Sequence, residues 1–345
     1  MSKFSIEVLN RTVYPYFSHK DPDVVLGAKF GEDVALTRVG GVLLASHVDP
    51  IVGAVQNIGW LAVHVACNDI ATSGAAPRWI QLLVLVPSED DEALLAEIMQ
   101  DIARASDETG VEIIGGHTGY SASLSRPLVA VTALGTVQEG DQVLTQGAQP
   151  GDHVIITKGI PLEGTAILAN DFSQAALCLG LTQADLAAAR ALMSKVSVIP
   201  EAMILAKLGA TSMHDVTRGG LLETLREMTL VSGVGMQIED DRIPIPKVAV
   251  RFASAFQFDP LKMISSGTLA ATVPDAKVAA VAEALGDSGI LFADIGMIIE
   301  GKGVQVVRDG QFLSFDDVEP EADELARMWV EFMPDKIQAS DLEED

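Results

Sequence analysis

Cysteine is almost missing. Cys67 and Cys178 are the only two in 345 residues, too few for a disulfide framework, so a reducing, cytoplasmic setting is expected. Basic side chains are scarce as well, 23 against 48 acidic ones, for a net charge of −25. A chain this acidic lacks the cations that non-specific nucleic-acid binding requires, so that class of function is excluded. No apolar run approaches the roughly 18 residues of a membrane span. The opening MSKFSIEVLNRTVYPYF likewise lacks the apolar centre of a signal peptide, and no membrane association is expected. Aromatic residues make up only 5% of a composition that is 48% hydrophobic, so Ala, Val, Leu and Ile must form the core. That balance and length suit an α/β protein of two domains. The closing SDLEED is expected to be a solvated, frayed tail.

What is present centres on residues 49–74, DPIVGAVQNIGWLAVHVACNDIATSG. Asn57 is a natural N-cap, and a helix is expected over 58–73. Ile58, Leu61, Val65 and Ile70 form its apolar stripe, and Ala62, Ala66 and Ala71 let another element approach closely. Asn68 and Asp69 interrupt this character. Asp69 lies about 18 Å along the axis from the cap, so it must serve something near the helix end.

Upstream, 34–38 and 42–47 read as two strands joined at Val39-Gly40-Gly41. Antiparallel pairing about that turn sets residue i opposite roughly 81 − i, which brings Asp33 beside Val48 and Asp49 at one mouth of the hairpin. Opposed residues there lie about 5 Å apart. Two carboxylates that close repel unless a cation, a proton or water intervenes. Lys29 falls near Asp33, as a phosphate contact or as an ordinary surface charge.

Past the helix, 78–86 (RWIQLLVLV) reads as a buried strand, 89–109 as an amphipathic helix ended by Gly110, and 111–114 as a short buried strand. The last runs into Gly115-Gly116-His117-Thr118-Gly119, either an ordinary turn or a loop open to a ligand. A strand over 126–137 and the boundary Gln149-Pro150-Gly151-Asp152 divide the chain into 1–149, 150–320 and a C-terminal helix with acidic tail, 321–345. The second half opens with strand 153–158 and helix 163–170. It then reaches Met213-His214-Asp215-Val216-Thr217-Arg218-Gly219-Gly220, where glycines at a helix start and the Arg218 charge make an anion-receptive corner. A strand is expected over 264–273, entered through Ser265-Ser266-Gly267. His47, His64, His117 and His214 have no zinc-site spacing. His64 reads as a hydrogen-bonded packing residue, and both cysteines as small core residues.

In order, GEDVAL (31–36), HVDP (47–50), NIGWLAVHVACNDIATSGAAPRW (57–79), GGHT (115–118), HDVTRGG (214–220) and SSGTL (265–269) resemble the aminoimidazole-ribonucleotide synthetase (PurM-like) superfamily. They are most similar to its hydrogenase-maturation branch, the HypE-type carbamoyl dehydratases. The resemblance implies an α/β (α+β) two-domain fold. Its N-terminal domain pairs with a second copy to close a β-barrel, and its C-terminal domain is ferredoxin-like. It implies ATP and Mg²⁺ as cofactors, a homodimer, a small-molecule substrate, and transfer of the γ-phosphoryl group to a substrate oxygen. It implies catalytic roles for Asp69, Asp215 and Arg218, and metal ligation by Asp33, Asp49 and Asp69. Nucleotide contacts are implied for Lys29, Asp33, Asp49, Asn68, Gly115, Gly116, His117, Thr118, Thr217, Gly219 and Gly220.

Two departures stand out. The maturation branch often follows GGHT with an acidic residue where this chain has Gly119, and it ends in a cysteine where this chain reads Leu342-Glu343-Glu344-Asp345. The expectation is an enzyme acting on a diffusible molecule and not itself carbamoylated. The alternative is a nucleotide-binding scaffold that kept the fold and lost the chemistry.

Overall fold

The computed structural model describes residues 4, 6–17, 20–51, 54, 56–315, 323–332, 334 and 335; the SDLEED tail lies outside them. After helix α1 (Ile6–Thr12) come strands β1 (Val24–Leu26), β2 (Ala35–Val39) and β3 (Val42–Ile51), helix α2 (Ile58–Thr72), β4 (Ala76–Val86), α3 (Glu92–Thr109), β5 (Glu112–Tyr120) and β6 (Leu128–Val137). The strands form one sheet in the order β1-β2-β3-β6-β4-β5. The β2–β3 hairpin has the register that its turn dictates, Ala35 opposite Ser46 through Val39 opposite Val42, with Gly40 at φ +61° supplying the left-handed turn residue.

Helix α2 has no polar face, since all fifteen of its residues are buried. It packs on β3, β4 and β6, on α3, and on elements of the second half. A helix enclosed on every side needs small residues where neighbours cross. A Cβ on Gly59 would meet the Ile98 carbonyl oxygen at 2.4 Å, so α2 and α3 approach through that glycine. Its start differs from expectation. Asn57 adopts the left-handed conformation, φ +57°, and its side chain makes no cap, because that backbone does not aim the amide at the following N–H groups. Gly110 ends α3 as expected, at φ +72°.

Two expectations fail around β5. Residues 111–114 are not a buried strand leading to a loop. One strand runs through to Tyr120, glycines included, and nearly all of it is exposed. Among the described residues it pairs only with β4, in parallel. The misreading has a physical source: an apolar pair such as Ile113 and Ile114 looks like core in sequence, whereas here it sits at the sheet edge, 37% and 48% exposed. Gly116 is needed where it is, because a Cβ there would lie 2.1 Å from the Leu82 carbonyl oxygen. Strand β4 is buried on one face only, through Ile80, Leu82, Val84 and Val86.

The second half carries β7 (Asp152–Thr157), α4 (Glu163–Asp171), α5 (Ser173–Cys178), α6 (Gln183–Arg190), α7 (Ile199–Leu208), β8 (Ser212–Asp215), α8 (Gly220–Ser232), β9 (Gly235–Glu239), α9 (Lys247–Phe256), β10 (Leu269–Pro274), α10 (Val278–Asp287), β11 (Phe292–Ile299), β12 (Gly303–Arg308), β13 (Gln311–Phe315) and α11 (Glu324–Glu331). Its seven strands order as β13-β12-β9-β11-β7-β10-β8, all antiparallel except β12 beside β9. The strand expected over 264–273 begins only at Leu269. Ser265 to Gly267 form a turn, with Gly267 at φ +103° and the Thr268 N–H bonded to the Ser265 carbonyl. The protein is thus a two-domain α/β fold with two mixed sheets, neither closed into a barrel among the described residues. Among those residues no helix is long and apolar enough to cross a membrane.

Candidate active site

A cleft of about 310 Å³ opens between the two halves. Its polar lining comes from Asp33 before β2, His47 and Asp49 on β3, Asp69 on α2, Glu163 on α4, Ser266 before β10, and Thr217 and Arg218 after β8, with Arg126 and Asp323. The rest of the lining is apolar. The hairpin delivers Asp33 and Asp49 to the same cleft as its register implied, and α2 brings Asp69 from its C-terminal end.

His47 holds two of these groups together. Its Nδ1 donates to the Asp33 carbonyl oxygen, and its Nε2 lies 3.0 Å from Asp69 Oδ2. Burial opposes a charge on the ring, but the Asp69 and Asp33 carboxylates outweigh it and raise His47 to about 10. The ring is therefore an imidazolium at neutral pH. Burial also drives Asp69 well above its ordinary value; His47 pulls it back, and Asp215 and Asp33 push it further up.

His214 forms a second bridge. It is 1% exposed, with Nδ1 2.7 Å from the Asp215 carbonyl oxygen and Nε2 3.3 Å from Asp33 Oδ2 and 3.2 Å from Glu227 Oε2. Burial again opposes its charge, and Asp33, Asp215 and Glu227 together raise it well above the usual imidazole value. Asp215 itself is 0% exposed; His214 Nδ1 lies 3.6 Å from its Oδ1, too far for a hydrogen bond, and among the described residues neither carboxylate oxygen receives one. Buried polar atoms left without donors are costly, so such a carboxylate marks a place for a cation. Asp33, His214 and Asp215 each offer a ligand atom, all within 4.8 Å of one another. The donor set, rich in carboxylate oxygen, fits a hard divalent ion such as Mg²⁺.

Glu163 completes the polar lining. It is 3% exposed and accepts from the Ser266 N–H at 3.2 Å. Burial pushes its carboxyl up to about 7; the Ser266 bonds oppose the rise, and Asp215 and Asp49 add to it.

The cleft gathers Asp33, Asp49, Asp69, Thr217 and Arg218, with Asp215 behind Asp33. Other expected site residues lie elsewhere. Asn68 spends its amide on the second domain, donating to the Val196 carbonyl and accepting from the Val198 N–H, both at 2.8 Å. Lys29 is exposed and donates to the Gln146 side chain. Gly115, Gly116, His117 and Thr118 sit on exposed β5 and do not line the cleft. Gly219 and Gly220 form the left-handed turn into α8; a Cβ on Gly220 would stand 2.5 Å from the Leu261 carbonyl oxygen. His64 packs as expected, 3% exposed, its ring against Trp60 and its Nε2 3.1 Å from Glu108. Cys67 is fully buried, its thiol pushed up to about 12 by burial. Cys178 is exposed and is no core residue.

Sequence reasoning set aside His47 and His214 for lack of zinc spacing, and overlooked Glu163, Glu227, Arg126 and Trp329. A carboxylate opening a helix whose middle, Ala166–Ala169, is wholly apolar was a usable sign for the first of these four.

Family models place this geometry. The model for the AIR synthase related protein, N-terminal domain, matches residues 31–137, and that for the C-terminal domain matches residues 149–309. The chain belongs to the AIR synthase related family. The carbamoyl dehydratase HypE of Rhodobacter capsulatus is 30% identical over 262 residues, covering 73% of this chain and 74% of that one. The selenide, water dikinase of Carboxydothermus hydrogenoformans is 26% identical over 341 residues, covering 89% and 95%. Among solved structures, the hydrogenase maturation protein HypE in complex with ATP superposes with a TM-score of 0.69 at 22% identity, over 91% of this chain and 94% of that one. At that identity the likeness establishes the fold.

Proposed function

We propose that this AIR synthase related protein transfers the γ-phosphoryl group of ATP to an oxygen of a small acceptor. The observation that carries this is Asp215, buried with no hydrogen bond to either carboxylate oxygen and grouped with Asp33 and His214, next to a cleft lined by Asp33, Asp49 and Asp69. The ATP bound by the similar maturation protein and the dikinase name of another relative support it. Phosphoryl transfer asks a protein mainly for positioning and charge neutralisation. Asp33, Asp49, Asp69 and Asp215 would hold Mg²⁺, which supplies the positive charge that lets a triphosphate enter an acidic cleft. Arg218 and Thr217, at the mouth of the turn after β8, would bind phosphate oxygens. His47 and His214 keep the carboxylates in place by bridging them in pairs. Release of ADP on addition of small carboxylates, amides or phosphates to the protein with Mg²⁺ and ATP tests the reading. Binding of ATP without turnover of any acceptor would leave a nucleotide-binding scaffold in its place.

We also propose a homodimer. The outward row of β6 is half-buried throughout, that of β4 half-buried or exposed, and Val48 on β3 is 62% exposed; an apolar sheet face of this kind calls for a cover. Since Gly115, Gly116, His117 and Thr118 lie on the outer strand, any nucleotide contact they make would be to a partner's cleft. Sedimentation at micromolar concentration is expected to give twice the chain mass. A stable monomer would refute it.

A further inference from the structure

One wall of the cleft comes from an element that neither family model covers. Helix α11 follows residue 309, where the second matched segment stops, yet Asp323, Leu325, Ala326 and Trp329 all line the cleft, together with the apolar Ile51 on β3, Val65 on α2 and Ile167 on α4.

This helix is tied down at both ends. Asp323 caps it, accepting from the Leu325 and Ala326 N–H groups at 3.1 and 3.2 Å, and lies 3.9 Å from Arg218. Glu324 accepts from the Asp259 N–H. Past its far end, Asp335 accepts from the Ser173 and Gln174 N–H groups and donates its own N–H to the Asp171 carbonyl. The indole of Trp329 carries the Arg126 guanidinium 4.8 Å from its centroid and meets Phe172 nearly edge-on, 5.0 Å away at 74°. A ring packed in this way is a wall; a platform for a nucleobase needs a free face.

A site that transfers a phosphoryl group has to keep water from acting as the acceptor. Carboxylates attract water, so exclusion must come from the apolar part of the lining. We infer that α11 is the wall of the acceptor subsite, where Trp329 and Leu325 exclude water and favour a small anionic acceptor with an apolar body, its charge met by Arg126 or Arg218. The inference rests on the phosphoryl-transfer reading. The acceptor oxygen forms a bond to the γ-phosphorus as the bond from that phosphorus to the β–γ bridging oxygen breaks, and ADP leaves. With water as acceptor the products are ADP, phosphate and a proton.

The test is ADP release from Mg²⁺ and ATP with no acceptor added, for the full chain and for Trp329→Ala, Trp329→Phe and Leu325→Ala. Hydrolysis is expected to rise by about tenfold in Trp329→Ala and less in Trp329→Phe, while ATP affinity stays within about twofold. Benzoate is expected to suppress release of free phosphate by the unaltered protein at roughly a tenth of the acetate concentration required, whether it takes the phosphoryl group or only displaces water, a preference that Trp329→Ala removes. Should Trp329→Ala fail to fold, Leu325→Ala decides on the same measurements. Unchanged hydrolysis, equal inhibition by the two carboxylates, or a tenfold loss of ATP affinity in these variants overturns the inference alone. An unaltered protein that binds no ATP with Mg²⁺ overturns the functional reading with it.

Discussion

Replacing Asp69 or Asp33 with asparagine is expected to weaken Mg²⁺-dependent ATP binding by about tenfold or more in each case, at least roughly 1.4 kcal/mol. Both residues line the cleft, where the acidic side chains Asp33, Asp49, Asp69, Glu163 and Asp323 outnumber His47, Arg126 and Arg218. A triphosphate entering without a metal would add negative charge to a cluster already short of positive charge. Asp69→Asn has a second effect. His47 owes its raised value largely to Asp69, so the ring loses its proton more readily in that variant and the site loses a fixed positive charge. Calorimetry with Mg²⁺ and with a chelator reads both effects. Equal ATP affinity under the two conditions, or no change in either variant, would dispose of the site.

Glu163→Gln should stabilise the metal-free protein. The Glu163 carboxyl is pushed up to about 7 from its usual 4.5, chiefly by burial. In the unfolded chain it ionises near the lower value, so above pH 7 the folded state bears the cost of a buried carboxylate that the unfolded state escapes. Below pH 4.5 both states are protonated and the cost is gone. Stability contributed by this group is therefore present in acid and lost as pH rises from 4.5 through 7. The gap between the two values corresponds to about 3 kcal/mol. Glutamine keeps the shape and an oxygen for the Ser266 N–H. In urea titrations with chelator the variant is expected to be more stable by about that amount at pH 8, with an advantage that shrinks steadily toward pH 5. A variant no more stable at pH 8, or one whose advantage is constant with pH, would mean that Glu163 carries no such burden.

What could be read in advance divides along physical lines. The β2–β3 register was legible because a glycine turn fixes pairing locally, and the cluster of Asp33, Asp49 and Asp69 followed from that register and from the length of one helix. Arg218 stood out as a charge at a glycine-rich helix start, and the resemblance added roles for it, Asp215 and Thr217. Asn68 was misplaced because an amide within a motif looks the same whether it faces a ligand or a neighbouring loop. The two bridging histidines depend on partners that no local spacing reveals: His214 meets Glu227 from the next helix, and Asp33 only once the halves are assembled. Strand β5 was misjudged because apolar content does not distinguish a core strand from an outer one awaiting a partner. The part played by Trp329 was hidden for a similar reason, since an amphipathic helix announces that one face is covered and not what it covers.

Helix α2 has a consequence for how the chain can be divided. All its residues are buried, against the first sheet on one side and against α7 and β8 of the second half on another, and Asn68 exchanges two hydrogen bonds with Val196 and Val198. The division near residue 149 is therefore a division of the chain and not of its cooperativity. Cut there, the first half would leave an apolar helix half uncovered, with the Asn68 amide stripped of its partners. The two halves are expected to melt as one unit, giving a single transition in scanning calorimetry.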